Sequence, residues 1–220
     1  PTPAEQPSRS LKYYAQHENM FVKSQVPNGT AVKLTFQYQK VKEKQVYTIS
    51  LGENSVLTCI GEAKAFVFET SEGLVGYIRV VSGTYELSII TSEQELISEH
   101  FASVIIERKT LLNRKFSSLT VKQMRWTPRK SFNREPEVRT YRSRDPFLNS
   151  EGKLELKVSN IDHVRPSAFN CLLEDADEVE VCSLLHTNSY ELIIGPPFSV
   201  LLGAACAVAR IDWISSRSKE

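Results

Sequence analysis

Residues 198–209 carry no charged side chain and are apolar on every face of a helix. A helix without a polar side must be surrounded by apolar groups. From Phe198 to Trp213 such a helix is about 24 Å long, which is shorter than the twenty or so apolar residues that a bilayer requires. We therefore expect a helix over about 197–213 that is buried inside protein.

The residues around this segment predict where the helix begins and ends. Gly195-Pro196-Pro197 ends the preceding apolar run, and proline is tolerated in the first turn of a helix. Gly203 and four alanines make the helix thin, so that surrounding backbone can approach it closely. After Ala209, we expect Arg210, Asp212 and the polar residues 215–220 to return the chain to water.

The preceding sequence alternates apolar and polar residues with the period of a β-strand. Val32, Leu34, Phe36 and Tyr38 alternate with polar residues, a pattern typical of a strand with one buried face. Further runs of this kind are separated by turn signals such as Gly52-Glu53-Asn54, which favour antiparallel neighbours. We predict strands at 31–40, 45–51, 55–60, 64–69, 74–81, 84–90, 101–107, 117–125, 153–159, 168–174, 178–185 and 189–194.

A mainly β fold follows from these two patterns. About a dozen antiparallel strands lose their exposed edges by closing into a barrel, and a barrel of that size has a lumen that must be filled. The apolar helix can fill it, whereas the rival two-sheet sandwich would leave the outer face of the helix wet. We predict a closed antiparallel barrel of about 12 strands around the helix, with an arm at 1–20, a barrel domain at 21–214 and a polar tail at 215–220.

Composition gives no sign of a metal site or a disulfide framework. The net charge of +1, with 41% hydrophobic and 24% charged residues, is ordinary for a soluble globular protein. Cys59, Cys171, Cys182 and Cys206 lie in apolar runs without paired spacing, which favours buried thiols in an intracellular protein. The histidines are equally scattered. We expect no metal and no cofactor.

Basic residues are densest between Lys122 and Arg144, where aromatic residues are interleaved with them. Such a segment is either a long solvated loop or a patch for anionic headgroups, with nucleic acid a weaker candidate partner. The candidate residues of the patch are Arg125, Arg129, Lys130 and Arg134.

Motifs of catalysis are missing from the sequence. It has no phosphate-binding GxxxxGK[ST] loop, no GxSxG, no HExxH and no CxxC. The acidic run 174–178 lies between two predicted strands and is typical of a solvated turn. We predict that the protein is not an enzyme.

Three stretches resemble the tubby-like domain, a closed twelve-stranded barrel around a C-terminal hydrophobic helix. They are the helix with its approach at 197–212, the strand and turn at 101–115, and Leu74-Val75-Gly76-Tyr77-Ile78-Arg79. A weaker match covers 154–173. The resemblance extends over about residues 20–214.

The resemblance implies a non-enzymatic adaptor that holds membrane phosphoinositides through a basic surface and carries protein cargo, notably into cilia. Arg79 matches the arginine of the family's lipid-binding strand, and Lys64 is what remains of a basic loop. The family's other contacts fall on Tyr77, Ala65 and Ser98.

Two hypotheses follow from this comparison. The first is a tubby-like adaptor that joins protein partners to phosphoinositide membranes through Arg79 and Lys64, at a cytoplasmic, ciliary or membrane-peripheral location. The second is a scaffold without lipid binding, which serves as a protein-interaction module in a ciliary structure or in the substrate receptor of a ubiquitin ligase.

Overall fold

The central feature of the computed structural model is a closed β-barrel that surrounds a buried helix near the C-terminal end of the sequence. The structure describes residues 18–92, 97–125, 137–158 and 164–217. Helix α2 spans Val200–Arg217, and every residue from Val200 to Ile211 is buried. The predicted fold is confirmed, although the helix begins three residues later than 197 and extends four residues beyond 213.

The strands follow the sequence pattern closely in the first part of the chain. The bounds are β1 Val32–Val41, β2 Lys44–Leu51, β3 Asn54–Glu62, β4 Ala65–Thr70, β5 Gly73–Val81, β6 Thr84–Ser92, β7 Ile97–Leu111, β8 Arg114–Arg125, β9 Glu137–Ser143, β10 Phe147–Leu148, β11 Leu154–Glu155, β12 Cys171–Glu174, β13 Glu180–His186 and β14 Tyr190–Ile194. Within these described residues, twelve strands close the barrel in the order β1-β14-β13-β12-β9-β8-β7-β6-β5-β4-β3-β2. All pairings are antiparallel, and the β1–β14 pairing from Val32↔Ile194 to Phe36↔Tyr190 closes the ring.

Small residues set the distance between the helix and the wall. A Cβ atom added to Gly203 would lie 2.7 Å from Cδ1 of Ile194 in β14. A Cβ added to Gly76 in β5 would lie 2.7 Å from the Ser88 carbonyl oxygen and 3.3 Å from Cδ2 of Leu201. Both 2.7 Å separations are closer than atoms normally approach, so a larger residue at Gly203 would push the helix off the wall, and one at Gly76 would displace β6 as well as crowd Leu201.

A short helix packs at the end of the barrel where α2 begins. Helix α1 spans Glu18–Lys23 and buries Phe21 and Val22. The backbone N–H groups of Glu18 and Asn19 donate to the carboxylate of Glu72 over 3.1 and 3.0 Å, which caps the helix. Of the predicted arm at 1–20, residues 1–17 lie outside the described residues.

The second part of the wall departs from the predicted strands. Residues 137–143, which the loop interpretation of the basic segment includes, form β9. The alternating run at 153–159 predicts a strand of the barrel, but of its described residues, 153–158, the two in Leu154–Glu155 form a strand, and it pairs with β10 outside the wall. Between β9 and β12 the wall has two residue pairs, Leu173↔Ser143 and Glu174↔Arg142. The chain leaves the wall after Ser143 and returns at Cys171.

Arg210 is buried within the protein, so its predicted return to water is wrong. Its side chain is 6% exposed. The guanidinium donates to four backbone carbonyls, those of Ser117, Ala168, Phe169 and Asn170, at 2.9–3.3 Å. Desolvation lowers the pKa of Arg210 from its usual value. A buried guanidinium is tolerated here because carbonyl oxygens face its donors.

The cysteines are buried thiols, as the sequence predicts. All four are free. Burial raises the pKa of Cys59, Cys182 and Cys206 well above the usual value, because an apolar surround disfavours the thiolate.

Candidate functional site

Arg79 lies near the end of β5 on the outer face of the barrel. Residues alternate between the two faces of a strand, so buried Ile78 faces the core and exposed Arg79 faces water. The guanidinium carbon lies 5.3 Å from the centre of the Tyr77 ring, and Nη2 donates to Tyr77 Oη over 3.2 Å. Arg79 is therefore held against the barrel surface while it stays accessible to an anion.

Tyr77 links Arg79 to a small group of hydroxyls. Its Oη lies 2.9 Å from Ser98 Oγ in β7. Hydrogen bonding to Ser98, then to Ser88 and Arg79, lowers the pKa of Tyr77, because donors aimed at the phenolic oxygen favour its charged form. The cluster of Tyr77, Ser88, Ser98 and Arg79 thus presents one cation with hydrogen-bonding hydroxyls beside it, which is chemistry suited to a phosphate oxygen.

The strands on both sides of Arg79 weaken this site for a highly charged headgroup. Arg79 is paired in register with Ala65 in β4 and with Glu86 in β6. A carboxylate directly across the strand attracts the guanidinium and repels a phosphate. The positions Tyr77, Ala65 and Ser98, where the resemblance places other polar or basic contacts, add no further cation.

Lys64 lies at the tip of the β3–β4 hairpin, next to the end of β5. Its carbonyl accepts the N–H of Val80 at 2.9 Å, and Ala63 before it has the left-handed φ of 55° that the tight turn requires. Lys64 is exposed, and it comes directly before Ala65, the residue of β4 that is paired in register with Arg79. The structure therefore brings the two predicted headgroup residues to the same edge of the barrel.

This edge belongs to the mouth where α2 ends. Asp212 of α2 accepts hydrogen bonds from Gln45, at the start of β2, and from Tyr85, at the start of β6. In an antiparallel meander, the β1–β2, β3–β4, β5–β6 and β7–β8 turns then share this end, which we call the helix-end mouth.

Positive charge is concentrated on the hairpins of the helix-end mouth. Residues 40–44 carry three lysines and Glu43, residues 62–64 carry Lys64 and Glu62, and residues 108–115 carry four basic residues and no acid. All of these basic residues are exposed. The turns of the other end that the structure describes are acidic, with Glu53, Glu72 and the run 175–178. Over the described residues, the helix-end mouth is the cationic one.

The structure describes part of the basic segment identified from the sequence. Arg125 ends β8, where its backbone is in register with Glu137 of β9, while Arg129, Lys130 and Arg134 lie outside the described residues. Arg139 lies 3.4 Å from Glu137, and Arg144 pairs with Glu174 and Glu180. The positive charge of Arg144, which the sequence places in the basic run, is therefore balanced by two partly buried carboxylates.

The sequence analysis missed the basic residues of the β7–β8 hairpin. Inward-facing pairs in this hairpin are apolar at Val104↔Val121 and Ile106↔Leu119 but polar at Arg108↔Ser117 and Thr110↔Lys115. This switch along one face marks where the hairpin passes the mouth of the barrel. It is visible in the sequence once the two strands are placed in register.

No group of three or more metal-ligating side chains comes together in the parts of the chain that the structure describes. No helix there has both the length and the apolar character needed to cross a bilayer.

The chain matches no protein-family model, and no curated protein matches it at a significant level. The tubby-like resemblance therefore stays a prediction that rests on the sequence stretches and is compatible with the barrel.

Proposed function

We propose that this protein is a non-enzymatic adaptor that docks its helix-end mouth on membranes containing phosphoinositides and holds protein partners with the rest of its surface. The observation that carries the proposal is the cationic set of hairpin tips around Arg79 and Lys64. Basic residues near an anionic membrane surface contribute about 1 kcal/mol each, so several weak contacts on one mouth add up to useful binding.

The filled interior supports a role at the surface. Helix α2 occupies the lumen that would otherwise be the natural place for a ligand in a barrel of this size. Binding would then fall to the hairpin tips and to the outer wall. The tubby-like resemblance points the same way, toward an adaptor in ciliary or other intracellular trafficking.

A scaffold without lipid binding is the second candidate function. Glu86 opposite Arg79 favours it, because a carboxylate next to the arginine opposes a multivalent phosphate. In that case the domain is a protein-interaction module within a larger assembly.

Vesicle co-sedimentation separates the two functions. We expect the protein to sediment with phosphatidylcholine vesicles that contain a bisphosphorylated phosphoinositide, and much less with phosphatidylcholine alone. Arg79→Ala and Lys64→Ala should each weaken this binding about fivefold. Lys33→Ala is the matched control, because Lys33 is an exposed lysine at the start of β1, away from the mouth.

Removal of the Glu86 charge tests the same site, with the opposite expected effect on vesicle binding. Glu86→Gln should strengthen the binding, because it removes the repulsion beside Arg79. Absence of binding at low ionic strength, or equal losses in Arg79→Ala and Lys33→Ala, would favour the scaffold.

A further inference from the structure

A slot opens in the barrel wall where β9 ends. β8 begins at Arg114, but its pairing with β9 runs only from Thr120 to Arg125. Among the described residues, Arg114–Ser118 have a strand partner on the β7 side alone. Across from them lie residues 164–171, on the way to β12. The space between is a cavity of about 1000 Å³.

The floor of the slot is built by Arg210, which reaches both of its sides. Nη1 donates to the Ser117 carbonyl of β8 over 3.3 Å. Nη2 donates to the carbonyls of Ala168 and Asn170, and Nε to that of Phe169. The guanidinium thus supplies N–H donors where a neighbouring strand would supply them. The slot therefore has the backbone chemistry of a place where one strand is missing.

One side of the slot is a strand edge. The Ser117 carbonyl points into the slot, since Arg210 binds it there. Backbone groups two residues apart in a strand point the same way, so those of Lys115 also face the slot. Phe116, Leu156, Trp213 and Ile214 contribute apolar surface to the lining. Open backbone groups beside apolar side chains are the features by which sheet edges bind extended peptides.

The charge of the lining determines which peptide fits. Five of the lining residues are basic, and Glu155 is the one acid among those the structure describes. Arg144 is paired with Glu174 and Glu180, and Arg210 donates to four backbone carbonyls. Arg108, Lys115 and Arg165 are exposed, and Arg165 has the Asn188 side chain as a neutral partner at 3.1 Å. An acidic ligand would meet these three cations on its way into the slot.

We propose that the slot binds an extended acidic segment of a partner protein, which adds as a short strand to the Arg114–Ser118 edge of β8. Backbone hydrogen bonds to β8 supply affinity, and acidic side chains select for the cations. The slot shares Arg108 and Lys115 with the helix-end mouth, but it lies along β8, three strands from Arg79 on β5, and peptide binding there requires no membrane. The slot gives the adaptor or scaffold a binding site for a partner protein.

The test is fluorescence anisotropy of the full chain with a labelled peptide of alternating glutamate and valine. We expect saturable binding at low ionic strength, and no binding of the same peptide with lysine in place of glutamate. The double variant Lys115→Glu/Arg165→Glu should weaken binding about tenfold or more. Lys40→Glu/Lys42→Glu makes the same change of charge on the exposed β1–β2 tip and should leave binding within about twofold.

N-methylation of the peptide tests the strand itself. Methyl groups on alternate backbone nitrogens remove donors that face one side, so at least one of the two methylated frames should abolish binding. Thermal unfolding of each protein variant, followed by circular dichroism, checks that it is folded. Lys115→Gln and Arg165→Gln replace the charge reversals if those variants unfold.

Three results would overturn the proposal. The first is no saturable binding of the acidic peptide. The second is binding that survives methylation in both frames and is displaced by inositol hexakisphosphate, which would make the slot a site for small polyanions. The third is loss of phosphatidylserine-vesicle binding in Lys115→Glu/Arg165→Glu without any peptide binding, which would assign the slot to a membrane.

Discussion

The two parts of the barrel wall are held together by different kinds of hydrogen bond. From β1 to β8 the chain runs as an uninterrupted meander, and β7 and β8 alone pair from Ala102↔Gln123 to Leu111↔Arg114. From β9 to β12 the ladder is two residue pairs long. Arg144 adds a side-chain contact across this ladder through Glu174. On its two flanks, Ser143 Oγ accepts the N–H of Leu119 in β8, and Asn170 Oδ1 accepts that of His186 in β13.

The difference shows where a closed barrel can open without losing its core. The meander satisfies its backbone with its own backbone, so it needs no particular side chain on its edges. The seam between β9 and β12 depends on a few polar side chains, above all Arg144 and Arg210. A partner that binds at this seam meets exposed backbone, whereas one that binds the meander meets only side chains.

A charged side chain in α2, the helix that both parts of the wall surround, should have the largest effect on stability. Ala205 of α2 is fully buried. Ala205→Asp should leave the protein unfolded, because an unpaired buried carboxylate costs several kcal/mol against a total stability of about 5–15 kcal/mol. The matched control is Ala65→Asp, on exposed strand surface in β4, which should stay folded by circular dichroism. A soluble Ala205→Asp protein with a cooperative unfolding transition would contradict the central position of the helix.

Loss of Arg210 should affect the seam far more than the meander. Arg210→Met removes donors from four part-buried carbonyls, and an acceptor left unsatisfied away from water costs about 1–3 kcal/mol. We expect a loss of about 3 kcal/mol or more in the free energy of unfolding, measured in urea. Hydrogen exchange should rise first in residues 114–118 and 168–173. Arg217→Met is the control, since Arg217 lies over the Trp213 ring at the helix end. An equal loss of protection in both parts of the wall would contradict the special role of Arg210 at the seam.

Arg144 gives a smaller effect of the same kind. Its side chain is 24% exposed and pairs with Glu174 and Glu180, the latter at 3.1 Å, while Nη1 donates to the Lys157 carbonyl. Desolvation acts to lower the pKa of Arg144, but hydrogen bonding and attraction to Glu174 outweigh it, so the pKa is raised.

The Arg144 effect can be compared with that of an exposed ion pair. Arg144→Met should cost about 2 kcal/mol in urea unfolding, because two partly buried carboxylates lose their cation. Lys109→Met, which breaks the exposed pair with Asp145, should cost less than about 1 kcal/mol. Equal losses would mean that the seam has no special need for charged side chains.

The cysteines offer the smallest and most local test. Burial raises the pKa of both Cys171, which lines the slot, and Cys59, which lies in β3 of the meander. Nearby Arg210 opposes this rise at Cys171. A thiol reagent should therefore modify Cys171 through local opening of the seam, and Cys59 only through global unfolding.

Single replacements identify the two thiols. The fast phase of labelling should vanish in Cys171→Ala and persist in Cys59→Ala, and its rate should increase with pH as the thiolate fraction grows. Fast labelling that persists in Cys171→Ala but is lost in Cys59→Ala would reverse the expected order of opening.

The regular part of this fold could be predicted from the sequence, and the seam could not. Alternation located the strands of the meander because each presents several buried residues on one face. β9 has one fully buried side chain, Tyr141, which packs against Phe198 at 4.8 Å between ring centres. A strand with a single buried residue has no alternation to detect. Conversely, Leu154 and Leu156 alternate with charged residues, yet their segment lies outside the wall, since alternation does not specify a pairing partner.

The candidate sites divide in the same way. The resemblance located Arg79 and Lys64, and the structure brings them to one edge of the barrel. The effect of Glu86 on Arg79 required strand register, because the two residues are neighbours only across β5 and β6. Arg210 follows an apolar run, so a helix end in water is the natural expectation from sequence. Its burial depends on carbonyls that come from β8 and from residues 168–170, far apart in the chain.

The position of α2 after all the strands has a consequence for synthesis on the ribosome. The wall closes through Val32↔Ile194, and its core is filled only when residues up to Ile211 have emerged from the exit tunnel. Until then, the inward faces of the nascent strands have nothing to pack against, and long-range β pairing is slow. Cells that make this protein therefore face an interval in which a chain that has its strands but not yet α2 needs protection by chaperones.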